Sequence, residues 1–160
     1  MTTQLSKIKL LLTDVDGVLT DTGVYYSERG EELKRFSIRD GMGVERLRHV
    51  GVETGIITGE LSGSVAKRAE KLKISELHLG IKEKVACIES IMAARNLKAD
   101  ELAYIGDDVN DLGAIALCGF TACPADAMPQ VKAVVDFICT KDGGNGAFRE
   151  FAELIISAKS

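Results

Sequence analysis

The chain of 160 residues is poor in several signatures that would assign it quickly. Its four cysteines, Cys87, Cys118, Cys123 and Cys139, contain no CxxC spacing, so neither a zinc ribbon nor a dithiol redox motif is present. Three of them sit in apolar stretches that suit reduced, buried thiols, and the reading places the protein in the cytoplasm. No excess of basic charge exists: 20 Lys and Arg face 24 Asp and Glu, a net charge of −4. The basic residues are scattered through helical segments rather than banked on a stripe, so no nucleic-acid partner is expected. Met1 to Lys9 has no apolar signal core and no apolar run approaches a bilayer span, which leaves no membrane association to expect. Repeats and low-complexity linkers are also missing. With 46% hydrophobic residues, the chain is expected to form one α/β domain over residues 1–160, large enough for a core without staples.

What stands out is Leu10 to Asp21, LLLTDVDGVLTD. Leu10, Leu11 and Leu12 read as a strand buried on both faces, and Asp14 and Asp16 fall where it leaves the sheet, with Gly17 allowing the turn. Two carboxylates two residues apart in extended chain point the same way, and their repulsion calls for a cation. With no His or Cys beside them, a hard ion is the natural partner, Mg²⁺ before Zn²⁺.

Further along, Gly23 to Tyr26 and Glu32 to Phe36 read as a hairpin inserted over residues 23–36. Helices are expected at Asp40 to His49, Ser62 to Leu72, Lys82 to Arg95, Val109 to Leu117 and Ala147 to Ala158, with a helical turn at Met128 to Lys132. Strands are expected at Val52 to Thr58, Glu76 to Leu79, Glu101 to Gly106, Gly119 to Ala122 and Ala133 to Ile138, and a flexible glycine loop at Gly143, Gly144 and Gly146. This alternation predicts a three-layer, doubly wound parallel sheet with helices on both faces. Such sheets bind ligands beyond the carboxyl ends of their strands, where strand order reverses. Three strands end in polar residues that would collect there: Asp14 and Asp16, then Thr58 and Gly59, then Asp107 and Asp108.

That constellation suits phosphoryl transfer. Asp14 is placed to attack phosphorus and carry an aspartyl phosphate. Mg²⁺ bridging Asp14, the backbone carbonyl of Asp16 and Asp107 would cancel the repulsion between two anions. Asp16 could protonate the leaving alkoxide and later activate water, while Thr58 and the Gly59 amide supply fixed donors to phosphoryl oxygens. Lys84, at the start of a helix, completes the cradle, with Asp111 or Asp108 holding it.

The order DVDGVLTD, ITGE, an isolated Lys84 before a helix, then YIGDDVND resembles the four motifs of haloacid dehalogenase superfamily phosphatases over nearly the whole chain. The resemblance implies Asp14 as nucleophile, Asp16 as general acid and base, Thr58 and Lys84 on the phosphate, and Asp107 on Mg²⁺, with Asp108 and Asp111 supporting. Only the 23–36 hairpin stands where that family usually carries a cap. The capless form with a GGNGAFRE segment is similar to phosphatases of keto-deoxy sugar acids, either 3-deoxy-D-manno-octulosonate 8-phosphate or nine-carbon 9-phosphate analogues, used in cell-surface glycan biosynthesis. Asn145 departs from an arginine often found in that segment. Glu60, with Lys71 taken to follow in the same helix, resembles the nine-carbon branch and marks both as candidate substrate residues. The resemblance also implies a homotetramer with hairpins packed at its centre, from which Arg149 could reach a neighbour's substrate carboxylate.

Two other classes fit part of the pattern. A non-catalytic oligomerisation module of the same fold, as in the C-terminal part of acylneuraminate cytidylyltransferases, would be expected to lack one of Asp14, Asp16, Thr58, Lys84 or Asp107. A phosphoacceptor receiver domain also gathers acids around Mg²⁺, but on a middle strand rather than in DVDG of the first.

Overall fold

In the computed structural model, which describes residues 1–160, the secondary structure runs from α1 (Thr2–Leu5) and β1 (Leu10–Thr13) into a hairpin, β2 (Tyr25–Ser27) and β3 (Gly30–Leu33). There follow α2 (Ile38–His49), β4 (Glu53–Ile57), α3 (Gly63–Lys71), β5 (Glu76–His78), α4 (Lys84–Arg95), β6 (Leu102–Ile105), α5 (Leu112–Leu117), β7 (Phe120–Cys123), α6 (Pro129–Lys132), β8 (Phe137–Ile138) and α7 (Ala147–Ser157). All strands except the hairpin form one six-stranded parallel sheet in the order β5-β4-β1-β6-β7-β8.

β1 has a partner on each side, and every residue in it is buried. Its side chains alternate between two apolar layers. Leu11 joins the larger cluster with Val44 and Leu47 of α2, Val65 of α3 and Phe148, Phe151 and Ile155 of α7. Leu10 and Leu12 face the opposite layer with Ile88 and Ile91 of α4 and Ala114 and Ile115 of α5. This is the doubly wound α/β fold expected from the alternation of strands and helices. From β1 the chain builds outward through β4 to β5, then crosses back to β6 on the other side of β1, so the strand order reverses around the carboxyl end of β1.

Local differences from the sequence reading have local causes. Both hairpin strands are shorter than expected, because a register shift at Tyr25 and Tyr26 interrupts the ladder. Phe36 is not in a strand; it packs partly buried against the main core, and the Arg68 guanidinium sits 5.7 Å from its ring centroid. α2 starts at Ile38 rather than Asp40, because the Ser37 side chain accepts from the Asp40 amide and caps it there. Residues 109–117 divide into a 3₁₀ turn, Val109–Asp111, and α5, since Asp108 caps the turn before α-helical geometry begins. The last strand contains only Phe137–Ile138. α1 was not anticipated; Leu5, at its end, is buried in the core.

The glycine loop before α7 is not the mobile segment expected. Gly143 and Gly144 are buried, the Gly144 amide donates to the Val18 carbonyl at 2.9 Å, and a Cβ on Gly143 would overlap the Gly17 carbonyl oxygen. α7 follows an N-cap, Gly146, that has no side chain to cap it. Asp40 of α2 supplies one from across the interface: its Oδ1 accepts from the Arg149 amide at 3.0 Å. Burial pushes the Asp40 carboxyl up to about 6, against the pull of the backbone amides at Arg149 and Gly146. Asp40→Ala is therefore expected to lower stability by roughly 1–2 kcal/mol, measured by urea denaturation, through loss of a helix cap.

Candidate active site

Each of the three strand ends around the reversal point carries its polar residue for a local reason. Asp14 extends β1 by one ladder bond, its amide donating to Ile105 at 3.1 Å, and its Oδ1 accepts from the Val15 amide at 2.7 Å. The chain then turns at Gly17, whose φ of +88° and whose contact with Asp107 both require glycine: a Cβ there would overlap the Asp107 carboxylate. Thr58 ends β4 by donating its amide to His78 at 3.0 Å, and its hydroxyl accepts from the Glu60 amide at 3.3 Å. After β6, Asp111 folds the acidic loop back, its Oδ2 accepting from the Asp107 amide at 2.9 Å and the Asp108 amide at 3.3 Å.

These turns enclose a cavity of about 270 Å³ lined by Asp14, Asp16, Thr22, Thr58, Gly59, Glu60, Asp107, Asp108 and Asn110. It contains no apolar side chain. Lys84, the first residue of α4, lies beneath it with its Nζ 3.3 Å from Asp14 Oδ1, 2.8 Å from Asp111 Oδ1 and 3.2 Å from the Tyr104 hydroxyl. Burial works against its charge, but Asp14 and Asp111 hold the Lys84 pKa above the ordinary lysine value. Of the two acids expected to hold Lys84, the structure brings Asp111 to it; Asp108 instead caps the 3₁₀ turn through Val109, its Oδ1 accepting that amide at 2.7 Å.

One lysine does not balance the carboxylates around it. Burial, then the charge of Asp111, pushes Asp14 up to about 7; burial, then Asp14, Asp111 and Asp108, pushes Asp107 up to about 8. Carboxylate oxygens of Asp14, Asp107 and Asp111 lie within 4.8 Å of one another. Asp111 has no oxygen to spare for a metal, since Lys84 and Tyr104 occupy Oδ1 and two amides occupy Oδ2. Asp107 Oδ1, by contrast, is buried with no hydrogen-bond partner. An orphaned buried carboxylate oxygen beside a second acid fits a hard divalent cation, so Asp14 and Asp107 could hold one.

The candidate substrate residues separate. Glu60 lines the cavity, but from the turn between β4 and α3 rather than from a helix shared with Lys71. Lys71 closes α3 and lies in a different groove of about 640 Å³, with Ile38, Met42, Arg48, His49 and Arg68. The expected common helix begins only at Gly63, after Glu60, and α3 carries Lys71 away from the strand ends at about 1.5 Å per residue. Arg149 lies outside the cavity with local partners: Nε donates to Glu153 at 2.7 Å and an amino group donates to the Arg39 carbonyl at 3.3 Å. Asn145, in place of the arginine, accepts from Arg35 at 3.4 Å.

Lys34 was missed. It follows β3, and its Nζ donates to Asp16 Oδ1 at 2.6 Å with a side chain only 1% exposed. A lysine amid the charges of SERGEELKR has no spacing to distinguish it, and only the fold of the hairpin over the Asp16 turn brings the two together.

Residues 74–151, from just before β5 into α7, match the family model for haloacid dehalogenase-like hydrolases. A relative of 39% identity extends the match over 159 residues, covering 99% of this chain and 88% of its own. The chain belongs to the haloacid dehalogenase-like hydrolases and is a phosphoric monoester hydrolase. That relative is the 3-deoxy-D-manno-octulosonate 8-phosphate phosphatase KdsC of Haemophilus influenzae, and the Yersinia pestis phosphatase of the same name is 36% identical over 154 residues, 96% of this chain and 82% of its own. The solved cobalt-bound phosphatase from H. influenzae matches this fold with a TM-score of 0.95 at 39% identity, covering 98% of this chain and 91% of the other. The Moraxella catarrhalis phosphatase, solved with magnesium, phosphate and KDO, gives 0.94 at 39% identity, with 98% and 90% covered. The idle-module and receiver readings are thereby set aside.

The displaced carboxyl pKa values give a measurable linkage. In the metal-free fold Asp14 and Asp107 keep protons that the unfolded chain releases near pH 4, so their contribution to stability is present below about pH 4 and lost as pH rises toward 7–8. A divalent cation requires both groups ionised. The rise in melting temperature on adding Mg²⁺ is expected to be small near pH 5.5 and to grow through about pH 8.5, as read by thermal shift; an equal rise at both ends would contradict this linkage.

Proposed function

We propose that this protein hydrolyses 3-deoxy-D-manno-octulosonate 8-phosphate with Mg²⁺, through an aspartyl phosphate on Asp14. The observation that carries the proposal is 39% identity over 99% of the chain to a phosphatase named for that substrate. It is supported by a polar cavity whose size and acids suit a phosphate monoester.

The Asp14 and Asp107 carboxylates and the Asp16 carbonyl would hold Mg²⁺, which when bound would supply Lewis-acid stabilisation of the phosphoryl charge. Asp14 attacks phosphorus as the ester P–O bond breaks, and the sugar oxygen takes a proton from Asp16. Water then gives a proton to Asp16 while its oxygen bonds phosphorus and the Asp14–phosphorus bond breaks. Lys84 fixes the Asp14 carboxylate and adds positive charge beneath it; Thr58 and the Gly59 amide donate to phosphoryl oxygens. Glu60 is left at the mouth to accept from sugar hydroxyls. Asp14→Asn is expected to lower kcat by roughly 10⁴-fold or more with the fold retained by circular dichroism. In a panel with Mg²⁺, the eight-carbon sugar-acid phosphate is expected to outrank its nine-carbon analogues, and the reverse ranking would move the assignment to the nine-carbon branch.

The same reading includes a homotetramer in the cytoplasm. It is supported by Tyr25, Tyr26 and Leu33, each more than 60% exposed along the hairpin, and by four free cysteines with no helix long and apolar enough to cross a membrane. Light scattering is expected to give four times the chain mass of 17.2 kDa, and a monomer would remove the hairpin interface from the proposal.

A further inference from the structure

We propose that Lys34 is the positioning residue for the Asp16 carboxyl group, an inference that rests on Asp16 being the proton donor and acceptor of the reaction. All of β2 is open to solvent, and the other basic residues of the hairpin, Arg29 and Arg35, point outward with side chains 80% and 57% exposed. Among these three cations Lys34 is the one that turns inward, its side chain 1% exposed. A buried ammonium without a partner is costly, so such a placement needs a carboxylate held opposite. Asp16 provides it at 2.6 Å, and Glu31 adds a second, longer contact at 3.7 Å.

The dependence runs the other way as well. Asp16 stands one residue before the Gly17 turn, and Lys34 is the hydrogen-bond donor to its carboxylate. With Oδ1 engaged by Lys34, Oδ2 is the oxygen left to exchange a proton with the ester oxygen or with water. Lys34 is itself braced. Glu31 accepts from the Ser62 hydroxyl at 2.5 Å, and the same hydroxyl oxygen caps α3 by accepting from the Val65 amide. A continuous set of polar contacts therefore joins the α3 cap, just beyond Thr58, to the hairpin and to Asp16. The hairpin is thus a structural part of its own chain's catalytic site, in addition to any interface it forms.

The test separates positioning of an acid from general damage. The value of kcat/KM reports steps up to departure of the leaving group, which an alkoxide needs protonated and a p-nitrophenolate does not. With Mg²⁺ present, Lys34→Met is expected to lower kcat/KM for 3-deoxy-D-manno-octulosonate 8-phosphate by about 10- to 100-fold, the scale of a misplaced catalytic group, and for p-nitrophenyl phosphate by less than about 3-fold. Lys34→Arg, which keeps the charge, is expected to recover part of the alkyl-ester activity. Should Lys34→Met fail to fold, Lys34→Gln supplies the same comparison. Equal losses on both esters, or no loss on either, would overturn the assignment and leave Lys34 as an anchor of the hairpin. Asp16→Asn, measured alongside, is expected to show the same split between esters; its absence there would instead reject the acid role of Asp16.

Discussion

The structure depends on one electrostatic constraint: more carboxylate is buried at the head of β1 and β6 than the protein's own cations can neutralise. Lys84 lies between Asp14 and Asp111 within 3.3 Å of both, and it is buried with them. Such a shared ammonium is stable only if the acids are fixed, because moving either would leave a bare charge in a medium of low polarity. Much of the local architecture serves that fixing. Tyr104 and two backbone amides saturate Asp111, while Gly17 leaves room for the Asp107 carboxylate.

The remaining imbalance gives the site its chemistry. Fully satisfied acids would be inert struts, whereas Asp107 retains an unpartnered oxygen and Asp14 holds a proton more tightly than an exposed aspartate does. A preorganised surplus of negative charge, closed off by rigid turns, favours a hard cation and, through it, a phosphate. Asp16 is treated differently. Its balancing charge comes from outside the sheet, on a hairpin whose own ladder is short and irregular.

Much of this was visible in the sequence because parallel sheets concentrate apolar runs and terminate them abruptly. Leu10 to Leu12 running into Asp14, and Leu102 to Ile105 running into Asp107, mark both the central strands and the acids beyond them. Contacts between distant segments were not visible. Lys34 meeting Asp16, Asp40 capping α7 and Gly143 seated on Gly17 each depend on how a loop is laid across a turn, which no periodicity records. Glycine-rich composition was misleading for the same reason: in GGNG it reflects close backbone approach rather than freedom. Glu60 and Lys71 show the limit of a shared motif segment, since the turn that holds one and the helix that ends at the other take them to different grooves.

The seating of Gly143 and Gly144 against residues 17–20 also bears on how the protein folds. β1 precedes its sheet neighbours β4 and β6 by some forty and ninety residues, and the backbone that packs against its Asp14 turn comes later still. Completion of the acidic centre therefore waits on a segment far along the chain from the strand that carries Asp14, so closing the site costs the ordering of a long intervening loop of sequence.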